Sequence, residues 1–202
     1  MSDFRFPLRV EKLRKRLAQD NLDAIFISNT ENRRYISGFE SSAGYLLLTE
    51  KDAVICTDFR YTEQASQQAP GWRINRIGGK PDWLAALVNE LKITTLGFEA
   101  DDMTVDTLDR FRKSLKNNNA DPTLRATSSI CMELRASKDD VELALLQHAI
   151  DIGDQAFEET AKQLEVGMTE KEAAWIFEQA VRERGAESIS FPTIVAVGPN
   201  AA

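Results

Sequence analysis

Apolar positions along the chain change their spacing repeatedly, and each change marks a different element. Val10, Leu13 and Leu17 recur at helical spacing and predict a first helix over residues 7–19, with Asn21 as the turn after it. Ala24-Ile-Phe-Ile27 is then a wholly apolar run of the kind found in a strand buried on both faces. Residues 29–32 are expected as loop and Tyr35-Ile36 as a brief extended piece, before Ser41-Ser-Ala-Gly44 turns the chain into a strand at 45–48. The tight Glu50-Lys-Asp52 connection to a second strand at 53–57 makes these two an antiparallel hairpin, and the sheet therefore mixed.

Asp58-Phe-Arg-Tyr61 leads into a short helix that Pro70-Gly71 blocks near Ala69. Residues 72–77 alternate apolar and polar, which directs Trp72, Ile74 and, less regularly, Ile77 to the core. Gly78-Gly79 breaks the alternation, and without a strand-to-helix phosphate loop around it the pair reads as plain loop. Pro81 opens a helix with Leu84, Leu87, Val88 and Leu91 on one side, followed by a buried strand at 95–98. A further helix over 105–115 carries Leu108, Phe111 and Leu115 and stops at Asn117-Asn-Asn119; Pro122 makes 121–125 an edge strand. Residues 1–126 thus read as one α/β domain, a mixed sheet flanked by helices, with 127–136 as connector.

Beyond the connector, over 137–202, the pattern is helical. Ser137-Lys-Asp-Asp140 resembles a capping box ahead of Val141, Leu145, Ile152, Phe157 and Leu164, and Gly167 ends that helix. Thr169-Glu-Lys-Glu172 opens a second, antiparallel helix with Ala173, Ile176, Phe177, Ala180 and Val181 inward and Gly185 as its stop. The β-branched run Thr193–Val197 then predicts a strand, closed by a Gly198-Pro-Asn200 turn. Two amphipathic helices with a single strand to pack on form an incomplete α+β domain, so their apolar faces are expected to be covered by self-association, or the region to be poorly ordered.

Composition narrows the function. With 43% hydrophobic and 28% charged residues the chain is an ordinary globular one, and a net charge of -7 with a pI near 4.9 excludes the basic footprint of a nucleic-acid binder. The basic run Arg9–Arg16 is the wet face of the first helix. No stretch is long and apolar enough for a membrane partner. Cys56 and Cys131, far apart and in no metal-type spacing, read as buried reduced thiols, which suits a cytoplasmic protein.

Candidate chemistry is sparse. His148 is the sole histidine, and with Asp151 it offers two ligands at most, which favours a helix-face histidine over a metal site and leaves no triad elsewhere. Asp58, Arg60 and Tyr61 mark a strand end entering a helix, where a polar cluster either contacts a ligand or locks the turn. Arg33 and Arg34, in the expected loop, are of a type to meet a peptide carboxylate.

Several short motifs, in order, give a further indication. Tyr35-Ile-Ser-Gly-Phe39, Ser41-Ser-Ala-Gly44, Thr57-Asp-Phe-Arg-Tyr61 with Glu63-Gln-Ala65, Leu96-Gly-Phe-Glu99, Leu134-Arg-Ala-Ser-Lys-Asp139, Gly185-Ala-Glu-Ser-Ile-Ser-Phe191 and Thr193-Ile-Val-Ala-Val-Gly-Pro-Asn200 together resemble the aminopeptidase P, prolidase and creatinase group of metallopeptidases. The resemblance implies a creatinase-like N-terminal domain that supports a homodimer and roofs a neighbour's active site, then a pita-bread catalytic domain. It implies two divalent metal ions (Mn, Co or Zn), held by two Asp, one His and two Glu, that activate water to cleave the bond before proline in Xaa-Pro peptides. By the same resemblance Phe191 lies beside the substrate pocket; for Asp58, Arg60 and Tyr61 the residues favour locking the turn, with facing substrate across a dimer as the alternative. All five metal ligands are expected downstream of Ala202, with no cofactor and no peptide hydrolysis from these 202 residues alone. The competing expectation is a non-catalytic dimerisation or binding module.

Overall fold

In the computed structural model, which describes residues 5–201, the chain divides at the Ser137–Lys138 bond into two units. The first is built on a sheet of β1 (Ala24–Ile27), β2 (Tyr45–Thr49), β3 (Ala53–Thr57), β4 (Arg73–Arg76), β5 (Thr95–Glu99) and β6 (Thr123–Thr127), in the spatial order β4-β3-β2-β1-β5-β6. β1 pairs parallel to β5 and antiparallel to β2; β2–β3 is antiparallel, while β3–β4 and β5–β6 are parallel. Only β2 therefore runs against the rest, and the carboxyl ends of the other strands share one edge.

The period of two along the strands sorts their side chains between two helical layers. Ile25, Ile27, Leu46, Leu48 and Ile55 pack on one face with Val10, Leu13 and Leu17 of α1 (Phe6–Gln19), Ile36 of α2 (Thr30–Ser37) and Ala65 of α3 (Thr62–Gln68). Ala24, Phe26, Leu47, Val54 and Cys56 pack on the other with Leu84, Leu87 and Val88 of α4 (Asp82–Glu90) and Phe111 and Leu115 of α5 (Val105–Asn117). Each large side chain so buried contributes about 1.5–3 kcal/mol relative to exposure. Trp72 and Ile74 join the first layer and Ile77 the second, so the irregular third position of that alternation lies on the opposite face.

One expectation fails in this unit for an identifiable reason. Residues 30–37 are helix α2, in place of the loop and extended piece: Asn29 caps it by accepting from Asn32 N at 3.0 Å, and Gly38, at φ 78°, provides the left-handed residue that ends it. The stretch expected as connector contains α6 (Ile130–Ala136), whose Ile130 and Cys131 are buried in the first layer. A seven-residue helix is too short to show periodicity, which is why the sequence pattern missed it.

In the second unit, α7 (Asp140–Gln163) and α8 (Glu170–Glu183) each begin with a full capping box, Asp139 with Glu142 and Thr169 with Glu172. Their contact is small: Ala156, Ala180 and Val181 are buried, with Ile152, Phe177, Ala186 and Ile189 packed around them. Leu145, Phe157 and Leu164 of the expected inward stripe are exposed, because the residues that meet α8 are Ile152, Ala156 and Thr160. Thr193–Val197 is not a strand. Among the described residues it has no ladder partner, and Glu170 instead accepts from Val197 N (2.8 Å) and Asn200 Nδ2 (3.0 Å) ahead of the 3-10 turn Gly198–Ala201.

Candidate functional site

The parallel strands end together at a cleft of about 800 Å³, lined by the loops after β1, β3, β4 and β5 and by the start of β2. Ligands of open α/β sheets sit at such carboxyl edges, where helix N-termini converge.

Asp58 and Arg60 stand on its rim, where β3 gives way to α3. Arg60 donates from Nε (3.0 Å) and Nη2 (2.7 Å) to the two Asp58 oxygens and from its backbone N at 2.9 Å. These bonds hold the Asp58 carboxyl below, and the Arg60 guanidinium above, their usual ranges. Tyr61 shares a hydrogen bond of 2.7 Å with Ser42 Oγ, stacks edge-on against Phe39, and lies 5.3 Å under the Arg60 guanidinium. The structure therefore brings Asp58, Arg60 and Tyr61 together, with the turn locked by its own ion pair. Phe59, between them, is 66% exposed.

Arg33 and Arg34 part company. Arg34 pairs with Glu40 at 2.8 Å, whereas Arg33 is 2% exposed and donates to the carbonyls of Gly44 and Ser41 and to Thr30 Oγ1. Its Nε has no partner, and burial pulls its pKa down. Three neutral acceptors leave this charge unmatched by any carboxylate in direct contact.

Beside it lies a buried carboxylate that sequence reasoning passed over except as part of a motif. Glu99, 5% exposed at the end of β5, accepts from Ser28 N and Asn29 N, each at 2.8 Å, and from Asn32 Nδ2 at 2.7 Å, while Arg135 Nη1 donates to Asn32 Oδ1 at 2.8 Å. Burial raises the Glu99 pKa, against the lowering effect of these donors. An acidic residue closing an apolar strand was the signal available. The network ties the ends of β1 and β5 to α2 and α6.

Cys56 and Cys131 are buried and free; burial pushes the Cys56 thiol up to about 12 and raises Cys131 as well, so neither is an activated nucleophile. In the second unit His148 is exposed on α7, and Asp151 accepts from Gln147 at 2.8 Å. Phe191 is 66% exposed. Among the described residues no group of three or more His, Cys, Asp or Glu gathers as a metal site, so the dinuclear centre implied by the resemblance does not fit the side chains present.

Residues 9–137 match the Creatinase/Prolidase N-terminal domain, and residues 144–202 match Metallopeptidase family M24. The chain belongs to the creatinase/prolidase family. Within this family it is similar to an uncharacterized peptidase, YqhT, of Bacillus subtilis, at 34% identity over 192 residues that cover 95% of this chain and 53% of the relative. Among solved structures it resembles an Xaa-Pro dipeptidase from Bacillus anthracis (TM-score 0.86, 35% identity, 92% of this chain and 51% of that one). An X-Pro aminopeptidase from Thermotoga maritima is also similar (TM-score 0.80, 31% identity, 91% and 51%). The chain spans about half the length of the curated relatives it matches over most of its own length. The creatinase/prolidase match ends at Ser137, the residue at which the first unit ends, and includes α6.

Proposed function

We propose that this chain is the N-terminal part of a metal-dependent Xaa-Pro peptidase, an aminopeptidase or dipeptidase that cleaves the bond before proline. The observation that carries the reading is the order of the two matches, a creatinase/prolidase N-terminal domain followed by M24 sequence, along a chain similar in structure to an Xaa-Pro dipeptidase and an X-Pro aminopeptidase. In this reading residues 1–126 are the N-terminal domain, 127–136 join it to the next, and 137–202 begin a pita-bread catalytic domain. The whole protein works in the cytoplasm as a homodimer on Xaa-Pro peptides.

Two divalent ions would supply an activated water and polarise the scissile carbonyl, on ligands outside the described residues. The part proposed for this chain is positional. Arg60, braced by Asp58, and Tyr61, braced by Ser42, present a rigid polar edge to substrate across a dimer, and Phe191 lies beside the substrate pocket of the whole protein. Rigid bracing lowers the ordering cost when such an edge binds. The exposed apolar side chains of the second unit, among them Leu145, Phe157 and Trp175, favour a second reading in which the chain acts as a dimerisation module without catalysis. Assaying the longer protein with Mn²⁺ against an Xaa-Pro dipeptide and a longer Xaa-Pro peptide decides between them. Cleavage before proline of either supports the peptidase, and cleavage of neither with Mn²⁺, Co²⁺ or Zn²⁺ overturns it.

A further inference from the structure

We infer that the cleft at the carboxyl edge of the sheet is itself a binding site for a small organic anion, a carboxylate or phosphate carried on a flat apolar body. The wall that would hold it, Arg33, Tyr45, Lys80, Trp83 and Arg110, lines the same cleft as the Asp58–Arg60 pair on the rim.

Charge is the first observation. The chain carries a net charge of -7, yet the cleft is lined by Arg33, Arg60, Lys80 and Arg110 against only Asp58 and Asp102. Asp58 is already committed to Arg60. Asp102 accepts from Ser28 Oγ at 2.5 Å and Asn29 Nδ2 at 3.2 Å. Among the described residues Lys80 and Arg110 make no hydrogen bond or ion pair, and the buried Arg33 hydrogen-bonds to neutral acceptors only, with its Nε unpartnered and Asp102, Glu31 and Glu99 acting on it at longer range. A desolvated guanidinium of this kind is costly unless an anion shares the site.

Backbone polarity points the same way. Thr30, Pro81 and Thr104, at the N-terminal starts of α2, α4 and α5, all line the cleft, so three helix dipoles direct their positive ends toward it.

The apolar half of the ligand follows from the opposite chemistry. Tyr45, Trp83 and Phe111 form an aromatic wall, with ring centroids 5.6 Å apart for Tyr45–Trp83 and 5.7 Å for each of the other pairs. Neither the Tyr45 hydroxyl nor the Trp83 indole N–H has a hydrogen-bond partner among the described residues, and both residues are half-buried. Cations, two free donors and a flat aromatic surface together select an acceptor-rich head on a planar body.

The test uses the 202-residue chain without metal or peptide, so it is read independently of the peptidase proposal. Phenyl phosphate and benzoate are titrated while Trp fluorescence and backbone amide NMR shifts are followed, with benzylamine as a cation of similar shape and inorganic phosphate as the head alone. Saturable binding of at least one aryl anion is expected, with shifts at residues 44–45, 80–83 and 104–110. Benzylamine should give none, and inorganic phosphate should bind at least tenfold more weakly than phenyl phosphate. The doubly substituted chain Lys80→Gln, Arg110→Gln alters exposed side chains and should keep its fold; it should bind at least tenfold more weakly. Absence of saturation by both aryl anions, equal binding by the double variant, or inorganic phosphate matching phenyl phosphate overturns the assignment.

Discussion

Glu99 is a carboxylate held almost wholly out of water, and its tolerance depends on the donors that reach it. Asn32 is the pivot, giving one bond to Glu99 and taking one from Arg135. Asn32→Ala would leave one Glu99 oxygen and the Arg135 donor without that partner, a loss of about 1–3 kcal/mol in urea unfolding near pH 7. The effect has a pH signature. Because burial raises the folded pKa of Glu99 above its ordinary value of 4.5, the ionised group detracts from stability as pH rises through that folded pKa and not below 4.5. Removing a donor that lowers this pKa raises it further, so the cost of Asn32→Ala should be smaller at pH 4 than at pH 7. An equal cost at both would show that Glu99 does not titrate as described.

At the scale of elements, the hairpin β2–β3 sets the cleft's back edge, and Gly44 lets it begin there. Its φ is 140°, and a Cβ at this position would lie 2.9 Å from the backbone oxygen of Cys56, while its own carbonyl accepts from Arg33. Gly44→Ala should therefore destabilise the first unit by about 1–3 kcal/mol, measured by thermal or urea unfolding, and an unchanged midpoint would contradict this packing. The same elements show what sequence can reveal. β1, β2, β3 and β5 were legible because a strand buried on both faces is an unbroken apolar run, and α4 and α5 because their stripes are long. α2 was not: its interior holds Asn32, Arg33 and Ser37, buried polar groups that interrupt any apolar stripe, and Asn32 and Arg33 take partners beyond the helix, in Glu99, Gly44 and Ser41. The Asp58–Arg60–Tyr61 cluster was visible as residue types at a strand end, whereas the unmatched charge of Arg33 emerges only when Gly44 and Ser41 are seen beside it. The run 193–197 has the composition of a strand, but pairing is a property of two segments, and composition cannot supply the second.

Across the whole molecule the two units differ in how much they bury. The first encloses two apolar layers, while the second centres on Ala156, Ala180 and Val181 and leaves Leu143, Leu145, Leu146, Ile150, Phe157 and Trp175 exposed. Amide hydrogen exchange on the 202-residue chain should thus show slow exchange in β1, β2 and β5, and exchange at least tenfold faster through α7 and α8. Equal protection in a monomer would mean that the small contact between α7 and α8 is sufficient.

The central claim, that these residues are the N-terminal part of an Xaa-Pro peptidase, is tested most directly by one cleavage assay on two proteins. The 202-residue chain and the longer protein are incubated side by side with an Xaa-Pro peptide and Mn²⁺, and release of the residue before proline is followed by mass spectrometry. The account predicts release by the longer protein and none by the 202-residue chain. Release by the 202-residue chain alone, or by neither protein, would contradict it.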